Sequence, residues 1–288
     1  MGADRSTCRV LRRSADCCAV PPRAAAGSLG RGIGPSGSQL LLRAVEVLSR
    51  FLVVGIEPHR QREVFDGPGQ GQMLYEQRVF FRPDWEHVIG PVLDWALPRA
   101  DVDEARVALY GISQAGYWAP RAAAFEKRLA ALMADPGVVR AGDSWTRHMP
   151  PQMMQLIDAG DVATFDGYMA QYAGEAKGLS LEMAKRLEPY GTSSVGEVLV
   201  QLRQYDLTDV AGGITAPTWI AAPDDEQFWP GQSQELFDLI TDAPKVLVPF
   251  TRAEGANWHC EPKAPRVRAQ RMFDWLDQVL AASGAARG

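Results

Sequence analysis

From Val64 onward, apolar residues fall into short runs that alternate with stretches of helical spacing. R-E-V-F-D-G-P-G-Q-G reads as a strand closing in a Gly/Pro turn, and W-E-H-V-I-G-P-V-L-D-W-A-L sets Trp85, Val88, Ile89, Val92, Leu93 and Leu97 on one helical face. R-V-A-L-Y over 106–110 predicts a short buried strand, followed by a helix through A-P-R-A-A-A-F-E-K-R. L-A-A-L-M-A-D, A-P-T-W-I-A-A-P and K-V-L-V-P-F predict further strands, again with helix-like segments between them. This alternation predicts βα units and a mostly parallel sheet. Between 140 and 212 the strand signals fade, and M-M-Q-L-I-D-A-G-D, F-D-G-Y-M-A-Q-Y and S-L-E-M-A-K-R-L predict short helices, a cap inserted over the sheet. The expected organisation is therefore a core of 64–139 and 213–288, a helical cap of 140–212, and an atypical, poorly ordered segment of 1–63.

Composition sharpens that seam. Residues 1–63 hold ten Arg, no Lys and five acidic residues, whereas the remainder carries 20 basic and 30 acidic residues. The first forty residues show a period of neither 3.6 nor 2, as expected of a disordered tail or of out-of-frame translation of GC-rich DNA. A net charge of -5 gives no footprint for phosphate backbones or anionic lipid, so nucleic-acid and membrane partners are not expected. The longest apolar stretch, from Leu40 to Ile56, is broken by Arg43, Glu46 and Arg50. Cys8, Cys17 and Cys18 crowd the N-terminus and only Cys260 lies elsewhere, which suits a reducing cytoplasm better than a disulfide framework.

The candidate chemistry starts at G-I-S-Q-A-G, residues 111–116, placed between a predicted strand and a predicted helix. In a G-x-S-x-G turn the serine occupies a strained strand-to-helix elbow, and small residues two before and two after it avoid a collision with neighbouring backbone. Here the later position is Ala115, one methyl larger than glycine, with Gly116 behind it. Serine is a weak nucleophile, so it needs a base, and the base needs an acid that holds its tautomer. The chain offers them in the order such sheets use: Asp225, with Asp224 as alternative, after A-P-T-W-I-A-A-P, and His259 after K-V-L-V-P-F. All would emerge at the carboxyl edge of the sheet. Asp225 is the expected acid because it lies nearer the Pro-containing turn that leads into the next helix.

F-D-G-P-G-Q-G-Q-M-L-Y-E-Q, F-R-P-D-W-E-H-V-I-G-P-V-L-D-W-A-L, G-I-S-Q-A-G-Y-W-A-P-R-A-A-A-F-E-K-R, D-E-Q-F-W-P-G-Q-S and A-E-G-A-N-W-H-C occur in that order. Together they resemble the α/β-hydrolases grouped around the fermentation-respiration switch esterase-like proteins and 2,6-dihydroxypseudooxynicotine hydrolase. The resemblance spans residues 64–288. It implies an α/β-hydrolase fold with a helical cap, a Ser113–Asp225–His259 triad, and an acyl or carbon–carbon hydrolase. One departure stands out. The strand and N-G-G-D-like loop that supply a second oxyanion donor upstream of F-D-G-P-G-Q-G are missing, so the early strands look incomplete and the Gln114 N–H remains as one donor. F-L-V-V-G-I-E-P could replace the strand but not the loop.

The resulting expectation is a serine hydrolase acting on a hydrophobic small-molecule carbonyl substrate, with a homodimer as a possible assembly. The alternative is a truncated or frame-shifted hydrolase-like protein without activity. No cofactor and no metal are expected: D-G-P-G-Q-G lacks nucleotide-loop spacing, and His259, Cys260 and Glu261 are neighbours that cannot easily face one ion.

Overall fold

The computed structural model describes residues 51–55, 61–175 and 179–285. Residues 1–50, most of the segment set apart by composition, lie outside the described residues. The elements run β1 (Phe51–Gly55), β2 (Gln61–Phe65), α1 (Gly71–Tyr75), α2 (Glu86–Ala96), β3 (Ala108–Ile112), α3 (Ala115–Phe125) and β4 (Ala131–Asp135). A run of helices follows: α4 (Asp143–Thr146), α5 (Pro151–Asp158), α6 (Val162–Glu175), α7 (Leu179–Leu187) and α8 (Val195–Leu202). The chain then returns through β5 (Thr218–Pro223), α9 (Gln232–Leu239), β6 (Lys245–Phe250) and α10 (Pro265–Ala285).

The sheet order is β2-β1-β3-β4-β5-β6, and β3 to β6 are parallel. Both faces of these strands are covered, which is why they read as nearly continuous apolar runs. Alternate side chains divide between two cores. Leu109, Leu132 and Ile220 join Trp85, Leu93 and Trp118 on one side. Ala108, Tyr110, Met133, Trp219 and Ala221 join Phe250, Met272 and Leu276 on the other.

β1 is antiparallel to both of its neighbours. Only residues 56–60 separate it from β2, and a parallel pair needs a crossover of about a dozen residues or more. F-L-V-V-G thus fills the place of an early strand but runs in the opposite direction. β2, leading into the D-G-P-G turn, then runs parallel to β3.

α3 is the central helix. Tyr117, Trp118, Ala119, Ala122 and Ala123 are all fully buried, and the small alanines let the helix lie close to the sheet. Pro120, inside it, cannot donate to the Gly116 carbonyl. That carbonyl instead accepts the Val138 N–H at 3.2 Å, so the interruption leaves no orphan acceptor.

The helical stretch leaves and rejoins the core at one place. The Ala141 N–H donates to the Tyr205 carbonyl and the Leu207 N–H to that of Val139, with Arg140 and Asp206 bridged between them. Phe81 N–H to Pro189 O at 2.8 Å and an edge-on Phe81–Tyr190 contact at 5.1 Å bind it to the core side.

Candidate active site

Ser113 follows β3 directly and has φ of 60°, in the left-handed region that non-glycine residues seldom enter. Its N–H donates to the Asp135 carbonyl at 2.7 Å, and its carbonyl accepts from Gly116 N–H at 2.8 Å, which closes the turn. A Cβ at 111 would stand 2.1 Å from the Ala115 carbonyl oxygen, and one at 116 would stand 1.9 Å from that of Pro136. Both glycines are therefore required by close backbone approach. Ala115, by contrast, is fully buried without conflict, so the extra methyl at the later small position is absorbed.

Ser113 Oγ lies 2.9 Å from Nε2 of His259, and Nδ1 of His259 lies 2.9 Å and 3.0 Å from the two carboxylate oxygens of Glu226. A carboxylate only accepts, so Nδ1 carries the proton and Nε2 is free to accept from the serine hydroxyl. The His259 and Glu226 side chains are 6% and 5% exposed, which shields the relay from water. Glu226 is itself fixed: its Oε1 accepts the backbone N–H groups of Phe228 at 2.8 Å and Trp229 at 3.2 Å. Phe228 and Trp229 also flank the imidazole, at centroid distances of 4.6 Å and 5.6 Å.

The acid expected from sequence is displaced by one residue. Asp225 turns away from His259 and takes a bidentate bond from Arg252, with further contact from Asn257 Nδ2. Hydrogen bonding from Arg252, then from Asn257, holds its carboxyl below the usual aspartate range. Asp224 accepts the Arg252 backbone N–H at 3.1 Å and also stays clear of the imidazole. The cause is the pairing of the two loops. Asp225 bridges Trp258 in a parallel sense and donates its N–H to the Asn257 carbonyl at 2.8 Å. The Glu226 N–H also closes back on the Pro223 carbonyl at 3.3 Å, and this turn leaves Asp225 against Arg252 and Glu226 against the imidazole. Of the three carboxylates in D-D-E, only Glu226 meets the imidazole, which the turn and the cross-loop pairing decide.

Gln114 stands at the N-cap of α3, where backbone N–H groups collect partial positive charge. Among the described residues no backbone carbonyl takes its N–H. Its side-chain Oε1 accepts the hydroxyl of Tyr190, from the helical stretch, at 3.3 Å. The direction of β1 matters for a second donor. Phe51 pairs with Gly111 beside the elbow while Val54 pairs with Ala108, so β1 ends at the sheet edge opposite Ser113. A loop following β1 therefore starts on the wrong side of the sheet.

No family model matches the chain. A hydrolase of Fusarium sp, LUC6, is 30% identical over 228 residues, 75% of this chain and 54% of its own length. The chain spans about half the length of the curated relatives it matches. The solved α/β hydrolase GrgF from Penicillium sp. sh18 superposes with a TM-score of 0.54 at 20% identity, over 77% of this chain and 80% of that one. 2,6-dihydroxy-pseudo-oxynicotine hydrolase superposes with a TM-score of 0.51 at 23% identity, over 76% of this chain and 52% of that one. This chain has the α/β-hydrolase fold. The resemblance read from its five motifs is met again in both comparisons. Within the α/β-hydrolase frame, Ser113 sits at the turn between β3 and α3, with Glu226 and His259 in the loops after β5 and β6.

Among the described residues no group of three or more His, Cys, Asp or Glu side chains has metal-binding geometry. No described helix is long and apolar enough to cross a membrane. Trp85, Trp118 and Trp219 are fully buried in the core, whereas Trp229 lies against the His259 ring.

Proposed function

We propose that the protein is a serine hydrolase that cleaves an ester, an amide or an activated carbon–carbon bond beside a carbonyl. The relay Ser113–His259–Glu226, with both links at 2.9 Å, carries this reading. Ser113 Oγ attacks the carbonyl carbon as His259 Nε2 takes its proton, and Glu226 orients the ring and stabilises the imidazolium. The oxyanion receives the Gln114 N–H. Collapse expels the leaving group, which takes the proton from His259. Water, deprotonated by the same nitrogen, then attacks the acyl-enzyme and regenerates Ser113. The helical stretch acts as a cap, tied to the elbow through Tyr190 and Gln114. Its aromatic and methionine residues suit a hydrophobic substrate.

A second reading, a hydrolase-like protein with little turnover, is favoured by the antiparallel β1. Without a second oxyanion donor the transition state loses about 2.7–4 kcal/mol, roughly 10²–10³ in rate. A fluorophosphonate probe separates the two readings. Labelling of the full chain that disappears in Ser113→Ala, together with a loss of hydrolysis on the order of 10⁶, supports the enzyme. A folded protein that takes up no label supports the inactive form.

A further inference from the structure

A second set of ionisable groups lies directly against the elbow and the His259 turn, and the proposed chemistry does not use it. Asp135, at the end of β4, is fully buried. Its backbone carbonyl accepts the Ser113 N–H at 2.7 Å and the Cys260 thiol at 3.5 Å, so one residue touches both the nucleophile's turn and the base's turn. Its side-chain Oδ2 accepts the Tyr110 hydroxyl at 2.9 Å and lies 3.3 Å from Arg268 Nη1. The same guanidinium nitrogen donates to the Cys260 carbonyl at 2.8 Å.

Glu261, also fully buried, sets its carboxyl close enough to that of Asp135 for each charge to act on the other. Neither of its oxygens, nor Asp135 Oδ1, meets an N–H or O–H donor from elsewhere among the described residues. Two carboxylates cannot hydrogen-bond to each other, since each only accepts. A proton on one of them supplies the donor that these three buried oxygens lack. Charge leads to the same place: Asp135 and Glu261 share a single guanidinium, Arg268, and two like charges in one buried site cannot both ionise at ordinary pH.

Glu261 also ends a strained turn. Cys260 and Glu261 have φ of 57° and 44°, both left-handed, immediately after His259. Such conformations persist only where surrounding structure over-determines them. We propose that Asp135 and Glu261 share one proton, and that this acid–carboxylate pair is a positioning device holding the His259 turn against the elbow of Ser113. The positioning role rests on the hydrolase reading above; the shared proton does not.

The pair titrates in the alkaline range. Burial first, then the negative charge of Asp135, pushes the Glu261 carboxyl up to about 10, with Arg268 opposing and Glu226 adding to the rise. The other ionisable groups against the pair are the Tyr110 hydroxyl and the Cys260 thiol, both raised well above their ordinary values mainly by burial, and His259. Loss of the shared proton sets two carboxylates against each other and drives the turn off Asp135. A histidine base only needs to be neutral, which alkaline pH favours, so an alkaline loss of reactivity would report the pair and not the base.

The test measures fluorophosphonate labelling rates of the full chain from neutral pH to beyond the Glu261 titration, alongside infrared spectra in the protonated-carboxyl C=O region. Wild type is expected to label at neutral pH, slow as the pH passes the titration, and show a protonated-carboxyl band. Glu261→Gln, which still donates to Asp135 but cannot titrate, should label near the wild-type rate at neutral pH, hold that rate into alkali, and lack the band. Glu261→Ala, which removes the donor, should label on the order of 10²-fold more slowly. Absence of the band in folded wild type overturns the shared proton, whatever the labelling shows. A Glu261→Gln profile that declines in alkali as wild type does overturns the positioning role. No labelling of folded wild type removes the hydrolase reading, and the positioning role with it, while the band still decides whether the proton is shared.

Discussion

Glu226 receives the Nδ1–H of His259 and two backbone N–H groups, whereas Asp225, its neighbour, spends both oxygens on Arg252 and Asn257. The two carboxylates should therefore respond differently to neutralisation. Glu226→Gln removes the charge that selects the tautomer and is expected to lower kcat on an activated ester by about 10⁴. Asp225→Asn breaks a pair whose arginine side chain is 77% exposed and should leave kcat near wild type. Steady-state kinetics of both variants on one substrate checks the assignment, and equal losses would sink it. Sequence alone could not choose within D-D-E. Which of those side chains reaches His259 is set by the turn closed on Pro223 and by pairing with residues 257–258, far along the chain.

The strand–elbow–helix unit from Ala108 to Phe125 is largely legible in sequence, because G-x-S and a small-residue helix are local requirements. What sequence does not reveal is which small residue the packing demands. Gly116 meets the Pro136 carbonyl, on the neighbouring strand's exit, while Ala115 is simply buried. Gly116→Ala is expected to cost about 3 kcal/mol in urea unfolding, as overpacking against backbone that cannot yield. Ala115→Gly should cost about 0.5–1 kcal/mol and leave the labelling rate unchanged. Comparable losses from both substitutions would mean that the frame tolerates neither, against the geometry of the turn. Pro120, inside the helix, is accommodated by a donor from outside it, the Val138 N–H on the Gly116 carbonyl.

Across the whole molecule the buried carboxyl of Glu261 couples folding to pH. Its value rises from an ordinary 4.5 to about 10 on folding, so between these limits the folded state holds a proton that the unfolded chain has released. The stability it contributes is complete below the lower value and is lost as pH rises through the upper one. Urea midpoints are expected to decline from mildly acid to alkaline pH in wild type, and to decline less in Glu261→Gln. Parallel declines would mean that other groups dominate the linkage.

The sequence by itself determined the parallel βα core, the tight turn at Ser113 and the loop after the last strand that carries His259. Each follows from local pattern: apolar runs long enough for buried strands, glycines where backbone must approach, and a histidine loop after a final strand. Only the tertiary structure decided that Glu226 rather than Asp225 meets the imidazole, that β1 runs against its neighbours, and that Glu261 folds onto Asp135. These depend on cross-loop register, on a connection too short for a crossover, and on burial of two carboxyls together, none of which is a property of residues adjacent in the chain.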